Sequence, residues 1–186
     1  MKRILSVFVA TILLAGFINA QGKMAIGFNG GIALPMGDFG DLYSMGFGGS
    51  ALFVYHISPN ADITGSAGYL TWSGKDSFSD YKFNSIPVLA GVRYSFGKGK
   101  FNPYVSGELG VHFTTVDVPE IVILGITVSG GSASDTFFGF GAGVGFLYQV
   151  GNNMDLDVNA KYNSVSSSGG SSNYISIMAG LLFGLN

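Results

Sequence analysis

The sequence contains no cysteine and is poor in charge. Only 11% of its 186 residues are Asp, Glu, Lys or Arg, whereas soluble domains carry roughly 25%. The absence of cysteine excludes disulfide scaffolds, cysteine-ligated zinc sites and thiol catalysis. The formal net charge is −2 and the chain has no Lys/Arg cluster, so nucleic acid is not expected as a partner.

Apolar residues and glycine are abundant instead. Hydrophobic residues make up 47% of the chain and aromatic residues 14%, and there are 30 glycines. This content excludes a disordered chain. The length suits a single domain, but the fraction of charged residues is too low for the surface of an ordinary water-soluble protein.

The N-terminus has the pattern of a secretory signal peptide. Lys2 and Arg3 precede the uncharged run Ile4–Ile18, and the small residue Ala20 follows. The pattern predicts a signal peptide over residues 1–20, cleaved before Gln21, and a mature domain over residues 21–186. The alternative is a membrane-anchoring helix, but fifteen residues fall short of the roughly 20 that a spanning helix needs.

The mature chain alternates apolar and polar residues with a period of two, which is typical of strands with two different faces. The clearest segment places Met154, Leu156, Val158, Ala160 and Tyr162 opposite Asp155, Asp157, Asn159, Lys161 and Asn163. Eight such segments are predicted, beginning near Met24, Phe47, Ala61, Ile86, Tyr104, Phe138, Met154 and Tyr174. Short connections, such as Ser58–Asn60 and Gly151–Asn153, alternate with long ones.

The composition of the two faces indicates which of them meets lipid. A soluble sandwich would carry Lys, Glu and Arg on its polar faces, but these faces hold mainly Gly, Ser, Asn and Ala. Small residues suit a narrow lumen, and large apolar residues suit hydrocarbon. Strands can cross hydrocarbon only when every edge is paired. We therefore predict an all-β fold, an eight-stranded antiparallel closed transmembrane β-barrel with up-and-down meander topology.

The polar faces predict a hydrogen-bond and ion-pair network inside the barrel. Its candidate members are Asp62, Arg93, Glu108, His112, Asp155, Asp157 and Lys161. A turn centred on Asn152 would place Gly143 opposite Lys161. We expect Arg93 and Glu108 to lie directly opposite each other or one strand repeat apart, within reach of a charge-assisted pair. The alternative is a conducting path or a ligand cavity, although eight strands leave a lumen only wide enough for side chains.

One long connection, Asp117–Asp135, contains a strongly apolar stretch outside the predicted bilayer. Its candidate interaction residues are Ile121, Val122, Ile123, Leu124 and Ile126. This segment is either a hairpin that extends two strands beyond the membrane, or an exposed patch or sheet edge that binds a surface partner.

Several stretches resemble the small outer-membrane β-barrel domain proteins of Gram-negative bacteria, of OmpA/OmpX type. They are Pro35–Asp41, Gly68–Leu70, Ile86–Tyr94 and Pro103–Gly110. The resemblance implies location in the outer membrane, assembly from the periplasm by the barrel-assembly machinery, and contact with lipid and lipopolysaccharide. It also implies periplasmic termini and extracellular long loops. The chain departs from the family by ending in Asn186 rather than in an aromatic residue.

The sequence gives little support for catalysis or cofactor binding. His56 and His112 are its two histidines, and neither is accompanied by a serine-centred motif. Asp38 and Asp41 could ligate calcium, but they are also common turn residues. We therefore expect no cofactor and a non-enzymatic structural or surface-interaction role. The alternatives are a narrow porin-like channel, a carrier of small hydrophobic ligands, and a lipid A-modifying barrel enzyme.

Overall fold

The computed structural model describes residues 24–75, 81–97, 99–118, 121–123, 126–128, 130–167 and 170–185. The predicted signal peptide, residues 1–20, lies outside the described residues. Within the described residues, no helix has the length and apolarity needed to cross a membrane.

Eight long strands close into an antiparallel barrel, as predicted. The elements are β1 (Met24–Met36), α1 (Asp38–Leu42), β2 (Gly46–His56), β3 (Ala61–Ser73), β4 (Lys82–Ser95), β5 (Phe101–Val118), β6 (Ile121–Ile123), β7 (Ile126–Val128), β8 (Gly131–Gly151), β9 (Met154–Ser167) and β10 (Gly170–Leu185). Around the barrel the order is β1-β10-β9-β8-β5-β4-β3-β2, a meander, and β6 pairs with β7 outside it.

The register and the orientation of the faces agree with the sequence. Gly143 lies opposite Lys161 across the turn between β8 and β9. Large apolar side chains cover the exterior, where Phe28 is 63% and Val92 61% exposed. Exposed aromatic residues occur towards both ends of this surface: Tyr94, Phe96, Phe101 and Tyr148 near the short turns, and Tyr69, Phe113, Phe138 and Tyr162 near the long connections. An apolar belt with aromatic residues at its borders is the exterior expected in a bilayer.

At the end with the long connections, β8 extends beyond the end of β9. β8 stays paired with β5 out to Gly131, whereas β9 begins to pair with β8 only at Gly139. β5 itself stays paired with β4 up to Asp117. We call residues 131–136 of β8 the ribbon, and all of them are exposed. The sequence placed the start of this strand at Phe138, because the ribbon has no apolar face to mark it as a strand.

The interior has apolar side chains at both ends, which the sequence did not predict. The outer cap, at the end with the long connections, consists of Ala33, Phe39, Leu70, Trp72, Val165, Tyr174 and Met178. The inner cap, at the short-turn end, consists of Ala25, Val54, Tyr104, Leu147 and Leu182. The predicted polar lumen therefore also contains an apolar cluster towards each end.

Candidate functional site

A buried ion cluster lies near the short-turn end of the lumen. Arg93 on β4 is only 3% exposed, and its Nε lies 2.8 Å from Oδ2 of Asp62 on β3. Its Nη1 lies 3.7 Å from Oδ2 of Asp157 on β9. Nδ1 of His56 lies 2.6 Å from Oδ1 of Asp62. The register sets Asp62 directly opposite Arg93, so the strongest of these pairs follows from strand pairing alone.

Tyr104 connects this cluster to the inner cap. Its hydroxyl donates to Oδ1 of Asp157 over 2.6 Å, and its ring centroid lies 5.0 Å from Cζ of Arg93. The Asn159 amide donates to the same Asp157 oxygen over 3.3 Å. Asp157 therefore accepts two hydrogen bonds in addition to its ionic contact, which compensates for its burial.

A second ion pair lies deeper in the lumen. Nζ of Lys161 on β9 lies 2.8 Å from Oε2 of Glu108 on β5, although β8 runs between these two strands. Gly141 is opposite Glu108, and Gly143 is opposite Lys161. A Cβ atom on Gly143 would lie 2.5 Å from Cγ of Lys161, so the glycine leaves the space that the lysine occupies.

Arg93 and Glu108 are one strand repeat apart, which is one of the two spacings expected from the sequence. Arg93 lies opposite Ser106, whereas Glu108 lies opposite Gly91. Each finds a closer partner: Arg93 pairs with Asp62, and Glu108 pairs with Lys161.

The other two predicted lumen residues lie at different levels. His112 is 1% exposed, and its Nδ1 lies 3.3 Å from Oγ of Ser85 beneath the outer cap. Asp155 is half-buried near the short-turn end, opposite Gln149. The predicted network is therefore divided into separate clusters along the lumen.

A cavity of about 50 Å³ lies between these clusters. Polar side chains of Asn29, Ser50, Glu108, Lys161 and Asn163 line much of it. A water molecule needs at least roughly 10–15 Å³ of such space, so the cavity can hold a few waters. Leu70, Tyr174 and Met178 of the outer cap also line it.

The outer cap is completed by the first long connection, which the sequence did not reveal. Phe39 of α1 packs against Trp72 and Phe83 with ring centroids 5.4 and 5.2 Å away. Trp72 in turn lies 5.2 Å from Tyr174, and its Nε1 donates to the carbonyl of Ala33 over 3.0 Å. The sequence could have shown that Trp72 faces the lumen, because it is an even number of residues from the inward-facing Asp62 on the same strand. Nothing in the sequence indicated that Phe39 would contact it.

The candidate metal ligands and interaction residues can also be placed. Asp38 and Asp41 lie in α1 rather than in a turn. Among the described residues, no group of three or more His, Asp or Glu side chains could hold a metal ion. Ile121, Val122 and Ile123 form β6, and Ile126 begins β7. Leu124 lies outside the described residues.

The comparisons with known proteins agree with this architecture. The sequence matches the family described as outer membrane protein beta-barrel domain over residues 8–183. The structure of Neisserial surface protein A is 21% identical with a TM-score of 0.65, covering 87% of this chain and 97% of that one. Ail, the attachment invasion locus protein of Yersinia pestis, is 18% identical with a TM-score of 0.54, covering 88% and 99%. A major outer membrane protein from Thermus thermophilus is 12% identical with a TM-score of 0.61, covering 87% and 98%.

No curated protein matches the sequence. The solved structures share the closed barrel fold, and the family match spans nearly the whole chain. The chain belongs to the outer membrane protein beta-barrel domain family and is an integral protein of the outer membrane.

Proposed function

We propose that this barrel does not conduct solutes, is not an enzyme, and serves the cell envelope through its extracellular surface. The observation that supports this is the pair of apolar clusters at the two ends of the lumen, together with a ribbon that is exposed to solvent. Short turns face the periplasm in such barrels, so the ribbon lies outside the cell. We also expect assembly by the barrel-assembly machinery and contact with lipopolysaccharide.

The ribbon offers an unpaired strand edge for such an interaction. The N–H of Gln149 donates to the carbonyl of Lys100 next to β5, and the register continues without a bulge to Gly131. Backbone N–H and C=O groups alternate in direction along an antiparallel strand. Those of the odd-numbered residues of β8 therefore point towards β5, and those of the even-numbered residues point away from it. The peptide groups of Ser132, Ser134 and Thr136 face the edge that β9 leaves unpaired among the described residues.

An extended segment of a partner could add to this edge as a further strand. Main-chain hydrogen bonds supply the affinity in this mode of recognition. Natural proteins protect exposed edges with charged side chains, especially lysine, with proline or with bulges. Residues 131–137 contain one charged residue, Asp135, and neither lysine, proline nor a bulge. This edge is a better candidate for partner binding than the lumen.

Planar-bilayer recording of the purified, folded protein tests the closed lumen. We expect no unitary conductance steps from protein that shows a boiling-dependent shift in gel mobility. Stable steps would support the narrow-channel alternative and would contradict the proposal. Lipid A modification that vanishes in His112→Ala would instead support an enzyme.

Cell adhesion assays test the edge. Ser134→Pro removes an outward N–H without touching the ladder to β5, so it should abolish adhesion mediated by the protein, while Ser134→Ala should keep it. Deletion of Glu120–Val128, which removes the candidate interaction residues, should leave the barrel folded and reduce binding. Adhesion that is equal in the Pro and Ala variants would contradict binding through this edge.

A further inference from the structure

We propose that a groove at the extracellular mouth binds a small organic cation with an apolar body. The groove has a volume of about 260 Å³ and lies above the outer cap, between α1 and the beginning of β10. Asp38, Phe39, Leu42, Tyr43, Phe83 and Ser172 are among its lining residues. Its lining also includes Val116 of β5 but no residue of 131–136, so the site is distinct from the unpaired edge of β8 and goes beyond the function proposed above.

The inner side of the groove is aromatic. Ring centroids of Phe39 and Tyr43 lie 5.0 Å apart, those of Phe39 and Phe83 lie 5.2 Å apart, and those of Tyr43 and Phe83 lie 5.6 Å apart. Leu42, which is 50% exposed, adds an aliphatic side chain at the rim. Aromatic faces attract both apolar groups and cations, because the ring quadrupole is negative above its plane.

The charges around the groove favour a cation. Asp38 is the one charged residue among the lining side chains, and it is exposed. Burial raises the pKa of the Tyr43 phenol, which therefore stays neutral at physiological pH. A carboxylate at the rim and aromatic rings beneath it match a ligand with a cationic head and an apolar body.

The wider extracellular end is also acidic. Within the described residues it carries Asp38, Asp41, Asp117 and Asp135 against Lys75 and Lys82. The ammonium of Lys75 already donates to the carbonyl of Gly40 over 2.5 Å. The resulting field attracts cations and disfavours carboxylates and phosphates in the groove.

The groove is held in place by the backbone of the first long connection. The N–H of Ser44 donates to the carbonyl of Ser73 over 2.8 Å, and the N–H of Lys75 donates to the carbonyl of Leu42 over 2.9 Å. These bonds fix α1 to the end of β3, so the aromatic surface is present before a ligand arrives. A preformed site loses less conformational entropy on binding.

The size of the groove restricts the ligand further. Drug-sized ligands occupy pockets of roughly 300–1,000 Å³, and this groove lies just below that range. An amine that carries one aromatic ring or a short branched alkyl group fits this description. Larger amphiphiles would extend beyond it.

Binding of matched small probes to the folded protein in a zwitterionic detergent tests the proposal. Phenethylammonium, 2-phenylethanol and 3-phenylpropionate share the ring and differ in charge, and NMR titration gives the dissociation constant of each. We expect the cation to bind about fivefold more tightly than the alcohol and the carboxylate to bind most weakly. Asp38→Asn should remove the preference for the cation, whereas Asp135→Asn on the ribbon should keep it.

A second variant tests the contribution of the aromatic surface to binding independently of the contribution of the Asp38 charge. Phe83→Leu should weaken the binding of phenethylammonium and of 2-phenylethanol by a similar factor, because both probes contact the aromatic surface. Equal affinities of the three probes for the native protein would overturn the proposal. An unchanged preference in Asp38→Asn would do so as well. Neither result depends on whether the protein conducts or adheres, so the two proposals can fail separately.

Discussion

Four glycines on the inward face of β8 allow side chains of β5 and β9 to meet across that strand. They are Gly139, Gly141, Gly143 and Gly145. Gly145 lies between Tyr104 and Asn159 in the register, and Gly141 lies between Glu108 and Asn163. The lumen is too narrow for three bulky neighbours side by side, so the middle strand carries none. The glycines thereby shape the polar interior although they make no polar side-chain contact themselves.

Substitution of Gly145 tests this role. A Cβ atom there would lie 2.5 Å from Cζ of Tyr104 and 2.7 Å from the carbonyl of Val158. Gly145→Ala should therefore lower the free energy of unfolding by about 1–3 kcal/mol, the usual cost of overpacking. Nothing lies within 4 Å of a Cβ at Gly107, so Gly107→Ala is the matched control. Urea unfolding in phospholipid vesicles measures both, and equal effects would contradict the role.

Arg93 is the residue whose loss should destabilise the interior most. Arg93→Met would remove the guanidinium from the buried carboxylates of Asp62 and Asp157, although Asp62 would keep its contact with His56. Breaking a buried ion pair costs about 3–5 kcal/mol, and the same unfolding assay should show a loss of that order. Lys82→Met removes an exposed charge and should change stability by less than about 1 kcal/mol. An Arg93→Met variant as stable as the Lys82→Met variant would show that the cluster does not stabilise the fold.

The elements differ in how much of them the sequence could predict. Strands inside the bilayer were recognised because one face must be apolar, and β9 therefore starts at Met154 as expected. The outer part of β8 was not, since both faces of residues 131–136 meet water. The contact of Phe39 with Trp72 joins residues 33 positions apart. Alternation describes one strand at a time, so it carries no information about such contacts.

The docking of α1 is testable at the level of the element. Gly37, which precedes α1, has a φ of 57°, a conformation that favours glycine. Phe39→Ala would remove the ring that closes the outer cap, at a cost of about 3 kcal/mol if the site cannot collapse. Because the chain has a single tryptophan, Trp72 reports on the cap directly. We expect acrylamide to quench its fluorescence more strongly in Phe39→Ala.

The control for this measurement is an exposed phenylalanine on the lipid face. Phe28 is 63% exposed and lies outside both caps, so Phe28→Ala should leave the quenching unchanged. Trp72 that stays equally protected in Phe39→Ala would show that α1 does not close the outer end of the barrel.

At the scale of the whole molecule, the distribution of apolar and charged residues is the reverse of that in a water-soluble domain. Large apolar residues face hydrocarbon, and the charges of Asp62, Arg93, Glu108, Asp157 and Lys161 are enclosed. Closure pairs every strand with two neighbours, which satisfies the backbone where no water is present.

The last prediction concerns the N-terminal segment, which the sequence predicts to direct export and then to be removed. The basic start, the uncharged run and Ala20 predict cleavage before Gln21. Intact mass spectrometry of the protein extracted from outer-membrane fractions should give the mass of residues 21–186. Replacing Ala20 with a bulky residue should block processing and yield the full-length mass in the inner membrane. Full-length native protein in the outer membrane would contradict cleavage and would favour retention of the segment as an anchor.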